Sequence, residues 1–281
     1  MLKISTKSRN ALSVIIPASN EAGYIGACLT ALLASGPIGA EVIVVANGCR
    51  DNTAAVAAGF ADRAIAAGWR LTVIELPDGS KPRALNAGDA AANGTMLAYL
   101  DADVQVSPAL MAQLITALQP ETPTYATGTA RIPRAKSGVT RAYARFWQRL
   151  PFAKSNAPGY GLFAVNAAGR ALWGEFPAII SDDTFVRLQF TPDQRIQTTA
   201  PYDWPMIEGF AALTRVRRRQ NAGVVEIAKA FPDLLRREAK PRPGKANLFA
   251  MALGDPVAFA VYAAVTLAVR LRRGDGWTRG R

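Results

Sequence analysis

Along the first hundred residues, short apolar runs alternate with stretches of helical periodicity. Leu12 to Pro17, Glu41 to Ala46, Leu71 to Leu76 and Met96 to Leu100 are rich in Val, Ile and Leu, too short for helices and bounded by turn formers, which predicts strands. Ala22 to Ala34, Asp51 to Ala58 and Arg83 to Ala92 read as helices between them. This alternation predicts a parallel sheet with crossover helices. Ligands of such sheets bind at the carboxyl ends of the strands, and those ends are Ser19-Asn20-Glu21, Asn47-Gly48, Pro77-Asp78-Gly79 and Asp101-Ala102-Asp103.

From about Pro120 the pattern becomes irregular. It predicts a strand at Tyr125 to Arg131, an aromatic and basic helix from Val139 to Leu150, and a strand from Leu162 to Val165 after Gly159-Tyr160-Gly161. A helix opened by Asp182 and Asp183 follows, and then a long helix around Ile207 to Gln220. Pro241-Arg242-Pro243-Gly244 reads as a hinge before an apolar window, Leu248 to Val269.

Composition narrows the chemistry. The chain has 281 residues, half of them hydrophobic, which suits one large domain and an appendage. It contains two cysteines and no histidine, which excludes a disulfide framework, zinc-ligand clusters and histidine-based triads, and fits a reducing compartment. The apolar run after the polar first ten residues is too short for a signal-peptide core, so the expected location is cytoplasmic. Of the net charge of +12, residues 215–281 supply +10, from 15 basic and 5 acidic side chains. A basic tail fits nucleic acid, an anionic membrane or phosphate. The apolar window beside the charge points to the inner face of a membrane and away from nucleic acid. Uninterrupted apolar sequence runs only from Pro256 to Val269, about 21 Å of helix against a hydrocarbon core of about 30 Å. With Arg270, Arg272 and Arg273 next to it, interfacial attachment is expected ahead of a packed helix or a true span.

Asp101 and Asp103 stand two apart at a strand end, so both carboxylates point the same way, with Ala102 opposite. Such a pair suits Mg²⁺ or Mn²⁺, which need few protein ligands when phosphate oxygens complete the shell. A solvated turn would look the same. Four segments decide between these readings: Ser13 to Glu21, Val44 to Thr53, Lys81 to Gly88 and Tyr99 to Asp103. In order and spacing they resemble the family 2 glycosyltransferases over residues 12–220.

The resemblance implies an α/β fold of GT-A type, a nucleotide-binding mixed sheet flanked by helices, assigned to residues 1–240; the apolar and basic residues 241–281 are expected to form a membrane-associating helical tail. It implies an inverting transfer of sugar from a nucleotide-diphosphate donor to the hydroxyl of an unspecified acceptor, lipid-linked or a surface-glycan precursor. The loop of Pro17, Ser19, Asn20 and Glu21 would cradle the nucleotide. Asn47 stands where the family often has a base-reading aspartate, and Asp51 matches a second acid, although an N-cap explains it equally. Lys81 and Arg83 would meet diphosphate or base, or form a solvated pair. Asp103 resembles the direct metal ligand of the D-x-D motif, and Asp101 the residue near ribose and metal.

Asp182 and Asp183 resemble the acidic pair that supplies the catalytic base, Asp183 ahead of Asp182. Without the resemblance, Ser181 as N-cap with two acids in the first turn would explain both. Gly159, Tyr160 and Gly161 resemble the acceptor-side loop, an ordinary tight turn being the alternative. Arg215 to Gln220 lacks the Q-x-x-R-W motif of processive relatives, which argues against a polysaccharide synthase. Two other readings fit less well. A sugar nucleotidyltransferase usually carries a Gly-rich, Arg-containing loop after the first strand, which Ala18-Ser19-Asn20-Glu21 lacks. A non-catalytic membrane-tethered binding protein would have no use for Asp101, Asp103 and Asp183.

Overall fold

The structure is a computed structural model and describes residues 12–35, 39–154, 157–238 and 244–271. In chain order its elements are β1 (Leu12–Ala18), α1 (Ile25–Leu33), β2 (Glu41–Asn47), α2 (Thr53–Ala58), α3 (Ala61–Ala66), β3 (Arg70–Leu76), α4 (Lys81–Ala91), β4 (Met96–Leu100), β5 (Gln105–Val106), α5 (Leu110–Ala117) and β6 (Tyr125–Arg131). They continue with α6 (Gly138–Trp147), β7 (Leu162–Val165), α7 (Ala167–Arg170), α8 (Asp182–Arg187), β8 (Arg195–Asp203), α9 (Phe210–Ala230), α10 (Lys245–Gly254) and α11 (Pro256–Leu271). The chain divides into two compact units.

The first unit comprises Met1–Arg131, Gly159–Ala178 and Gln189–Trp204 and holds an eight-stranded sheet of order β3-β2-β1-β4-β7-β6-β8-β5. The expected parallel part is present, with β1 parallel to β2 and β4, and β2 parallel to β3. β7 then runs antiparallel to both β4 and β6, which makes the sheet mixed. β2 and β4 are buried along their whole length and read as continuous apolar sequence, as central parallel strands do. The edge strand β3 alternates instead between exposed and half-buried positions. Ile25, Cys28, Leu29, Leu32 and Leu33 form the buried face of α1.

Several boundaries differ from those read in the sequence. The chain around Ala22 to Tyr24 is a turn in which Glu21 O accepts from the backbone N–H of Tyr24 and Ile25, so α1 begins at Ile25. The helix expected over Asp51 to Ala58 is α2, which begins at Thr53, and α3 follows it without a counterpart in the expected pattern. The long helix begins at Phe210 and continues to Ala230. β5, α5 and β8 have no counterpart in the expected pattern. β8, Arg-Ile-Gln-Thr-Thr-Ala-Pro-Tyr-Asp, is polar and contains Pro201, and it pairs with β6 across an irregularity between Thr127 and Thr129. A proline is tolerated in a strand at such a break.

The second unit comprises Ile132–Pro158, Ile179–Leu188 and Pro205–Arg281 and contains α6, α8, α9, α10 and α11. Tyr262 of α11 stacks on Tyr143 of α6 at 5.4 Å between centroids, and Phe259 and Tyr262 meet Phe146 at 5.5 and 4.8 Å. Asp255 ends α10, accepts from Ala258 N–H at the start of α11 and pairs with Arg145 at 2.9 Å. The apolar window is therefore two helices with a charged corner. Among the described residues no helix is long and apolar enough to cross a membrane. Pro241, Arg242 and Pro243 of the expected hinge, and Arg272 and Arg273, lie outside the described residues.

Candidate active site

Three loops of the first unit meet at the carboxyl ends of β1, β2 and β3. Asn20 adopts a left-handed conformation, φ 58°, and its Oδ1 accepts from Arg50 N–H at 2.8 Å. Glu21 N–H donates to Thr53 Oγ1 at 2.8 Å. Asp51 accepts from Ala22 N–H and Thr53 N–H, both at 3.1 Å, and from the Thr53 hydroxyl. Burial raises the Asp51 carboxyl, but the Thr53 hydroxyl and these backbone donors outweigh it and hold the group below the usual carboxylate range. Asn47, 3 % exposed, donates to Ala18 O at 2.9 Å and accepts from Ser80 N–H at 3.0 Å, so backbone occupies both ends of its amide. Gly48 follows with φ 56°, and a Cβ there would collide with Gly79 N. Asn47 and Asp51 thus tie the loops into one rim. Pro17 pairs with Val45 in the β1–β2 ladder, and Ser19 lies half-buried at the start of the loop.

The D-x-D segment continues β4 into a turn. Asp101 and Asp103 are half-exposed while Ala102 and Val104 are buried, but β4 ends at Leu100, so the pattern belongs to a turn, closed by Val104 N–H donating to Asp101 O at 3.1 Å, and not to the strand expected from the spacing. Asp101 N–H donates to Gly161 O at 2.8 Å, which fixes the strand end. Lys81, at the first position of α4, pairs with Asp101 through Nζ and Oδ1 at 2.9 Å, each side chain about one-third exposed. Arg83 pairs with Asp78 at 3.2 Å in a largely exposed contact. Burial, and then the charges of Asp103, Asp101 and Glu21, push the Cys28 thiol upward.

Two half-exposed carboxylates two residues apart, one of them paired with a lysine, are donors of the kind that Mg²⁺ or Mn²⁺ takes when diphosphate oxygens complete the shell. Among the described residues no group of three or more acids, cysteines or histidines could hold a metal alone.

Gly159 and Gly161 both have positive φ, 71° and 66°. A Cβ on Gly159 would collide with Tyr125 Oη, and one on Gly161 would lie 2.8 Å from Trp204 Cδ1 and from Val104 Cγ2. Between them Tyr160 stacks on Trp204, centroids 5.1 Å apart and planes 21° apart. Trp204 was not anticipated from the sequence. It becomes a neighbour of this loop because Trp204 N–H donates to Arg131 O, extending the β6–β8 pairing, and the only cue was the aromatic cluster Tyr202-Asp203-Trp204 after an unrecognised strand.

Asp182 and Asp183 belong to the second unit, in the first turn of α8. Asp182 is 5 % exposed and Asp183 half-exposed. Ser181 occupies the N-cap without a side-chain capping bond, and Asp183 Oδ1 accepts from Thr184 N–H at 2.6 Å.

Comparisons with known proteins bear on the family and the fold. Residues 13–173, more than half of the chain, match the Glycosyl transferase family 2 profile. "Uncharacterized glycosyltransferase EpsJ" of Bacillus subtilis (strain 168) is 32 % identical over 103 residues, 37 % of this chain and 29 % of that protein; the match thus spans under a third of the relative's length. Among solved structures, the mannosyltransferase PcManGT from Pyrobaculum calidifontis in complex with GDP-Man and Mn²⁺ superposes with a TM-score of 0.61. Its identity is 21 %, over 95 % of this chain and 77 % of that one. Glucosyl-3-phosphoglycerate synthase from Mycobacterium tuberculosis, with Mn²⁺, UDP-Glc and phosphoglyceric acid, gives 0.52 at 19 % identity, over 78 % and 79 %. At such identities these two share the fold, a GT-A type mixed sheet flanked by helices. The family match over more than half of the chain makes it a member of glycosyl transferase family 2.

Proposed function

We propose that this enzyme transfers a sugar from a nucleotide-diphosphate sugar to an acceptor hydroxyl with inversion at the anomeric carbon. The observation that carries the reading is the pair of half-exposed carboxylates at the end of β4, Asp101 and Asp103, with Lys81 held 2.9 Å from Asp101. Asp103 and Asp101 would hold Mg²⁺ or Mn²⁺, which supplies charge neutralisation for a diphosphate. Lys81 offsets negative charge on the donor, and Arg83, at the exposed end of the same helix turn, is placed to reach base or phosphate. The rim of Pro17, Ser19, Asn20 and Glu21 takes the nucleotide. Asn47 and Asp51 support that rim, their polar atoms being engaged with backbone.

Direct displacement needs a base for the acceptor hydroxyl proton. We assign it to Asp183, because that carboxylate is half-exposed whereas Asp182 is 5 % exposed. Gly159, Tyr160 and Gly161 form the acceptor side, where the two glycines let Tyr125, Val104 and Trp204 close against the loop and Tyr160, stacked on Trp204, offers a ring face. Residues 1–240 would carry this chemistry, with 241–281 making peripheral contact with the inner face of a membrane, which suits a lipid-linked acceptor. The motive is the exposed apolar stripe of α11, Val257, Ala260, Ala264, Leu267 and Leu271, within a strongly basic stretch.

A thermal-shift screen of GDP, UDP, GDP-mannose and UDP-glucose with and without Mn²⁺ tests the donor class, since a ligand of the native state raises the midpoint according to its affinity. A rise with at least one nucleotide that needs the metal is expected. No shift with any of them would contradict the reading.

A further inference from the structure

α8 is six residues long, below the length at which a helix is stable alone, and its N-cap Ser181 makes no side-chain capping bond. Its support comes from α9 and the turn that follows. Ile180 N–H donates to Glu226 Oε2 at 2.8 Å. Arg187, 2 % exposed, donates through Nη2 to both carboxylate oxygens of Glu238 at 2.7 and 2.6 Å. Phe185 meets Phe231 at 5.0 Å between centroids.

Gly223 completes this support. A Cβ there would collide with Ser181 Oγ and lie 3.1 Å from both Ile180 Cβ and Ser181 Cβ. Glycine is, after proline, the worst residue for a helix interior, and Gly223 stands inside the 21-residue α9 with no positive φ to require it. The close approach of the Ile180 and Ser181 side chains requires it instead. Glu226 is three residues further on, and so on the same face of α9.

We propose that Gly223 and Glu226 are positioning residues, a seat on α9 that fixes the segment Ile180 to Asp183 and thereby aims the Asp183 carboxylate at the acceptor hydroxyl. The inference rests on Asp183 being the base. The seat holds the segment by one backbone hydrogen bond and by the absence of one methyl group. A misplacement of about 1 Å at a reacting group costs roughly a hundredfold in rate.

The test compares Gly223→Ala, Glu226→Ala, Glu226→Gln and Asp183→Asn, and the doubles of the first two with Asp183→Asn. Release of nucleoside diphosphate from GDP-mannose and UDP-glucose is followed with Mn²⁺ and a membrane lipid extract as acceptor. Gly223→Ala and Glu226→Ala should each lower kcat roughly tenfold or more at unchanged donor KM. Glu226→Gln, which can still accept from Ile180 N–H, should recover most of the rate, and neither alanine variant should cost more in the Asp183→Asn background. Wild-type kcat in both alanine variants beside a slow Asp183→Asn overturns the seat and leaves the base standing, as do additive losses in the doubles. Wild-type kcat in Asp183→Asn removes the base, and the seat with it. Independently of any donor, the Ile180 amide should exchange slowly in the wild type and much faster in Glu226→Ala; equal exchange in the two overturns the seat.

Discussion

Asp183 and Asp182 are adjacent in sequence yet differ in access to solvent, and only a reachable carboxylate can take a proton from a substrate. Asp183→Ala should lower turnover roughly a hundredfold or more at unchanged donor affinity. Asp182→Ala should act on stability, since it removes a buried polar group together with its contacts. Stopped or steady-state assays beside calorimetric donor titrations separate the two, and equal kcat for Asp183→Ala and wild type would move the base elsewhere. At Gly159 the constraint is steric, because the left-handed backbone and the Tyr125 hydroxyl both exclude a Cβ. Gly159→Ala should therefore cost about 2 kcal/mol or more, read as a lower denaturant midpoint. A midpoint equal to the wild type would mean that the loop relaxes freely.

At the scale of elements, Glu41 begins β2 and joins three parts of the sheet at the end opposite the candidate site. It accepts from Ser13 Oγ at 2.6 Å and from Asn93 N–H and Nδ2 at 2.6 and 3.1 Å, and pairs with the exposed Arg70 at 3.0 Å. Burial raises its carboxyl, but the Ser13 and Asn93 hydrogen bonds and Arg70 outweigh it, so the folded group titrates below its ordinary value of 4.5. A depressed carboxylate contributes stability that is present above the unfolded pKa and is lost as pH falls through the folded one. Glu41→Gln should lower stability by about 2 kcal/mol near neutral pH, the scale of hydrogen bonds to a buried charge, and by progressively less as pH falls below 4.5 and through the depressed folded pKa. Urea midpoints that differ equally at neutral and at acidic pH would contradict this assignment.

Elements with one buried face or a wholly apolar run, such as β2, β4 and α1, were legible in the sequence because burial writes itself into periodicity. β8 was not, since its polar sequence is made a strand by pairing with β6 and β5 rather than by its own pattern. The split of the apolar window at Asp255 was visible as Gly254-Asp255-Pro256, although the cap on α11 and the pair with Arg145 were not. In the candidate site, the half-exposure of Asp101 and Asp103 on either side of the buried Ala102 was legible in their spacing. Their link to Lys81, the ring of Trp204 on Tyr160 and the backbone engagement of Asn47 depend on chain returns that no local pattern encodes.

For the whole molecule, the uneven charge matters most, because residues 215–281 carry +10 of the net +12. Phe249, Leu253, Val257, Leu267 and Leu271 are 56 to 74 % exposed on α10 and α11. Each basic residue near an anionic lipid surface is worth about 1 kcal/mol, and the apolar side chains add burial. The protein should co-sediment with phosphatidylglycerol vesicles at low salt and far less with phosphatidylcholine. Phe249→Asp with Leu267→Asp should weaken that binding while leaving the α11 contacts with Tyr143 and Phe146 intact. Equal sedimentation of the double variant would remove the membrane assignment.

The central claim is that the acidic end of β4 binds a nucleoside diphosphate through a divalent cation. Isothermal titration of GDP and UDP into wild type and Asp103→Asn, each with Mn²⁺ and with chelator, tests it directly. Binding of at least one diphosphate by the wild type with metal is expected, with a loss of tenfold or more with chelator and the same loss in Asp103→Asn at an unchanged unfolding midpoint. Affinity that is equal with and without chelator, or unaffected by Asp103→Asn, would contradict it.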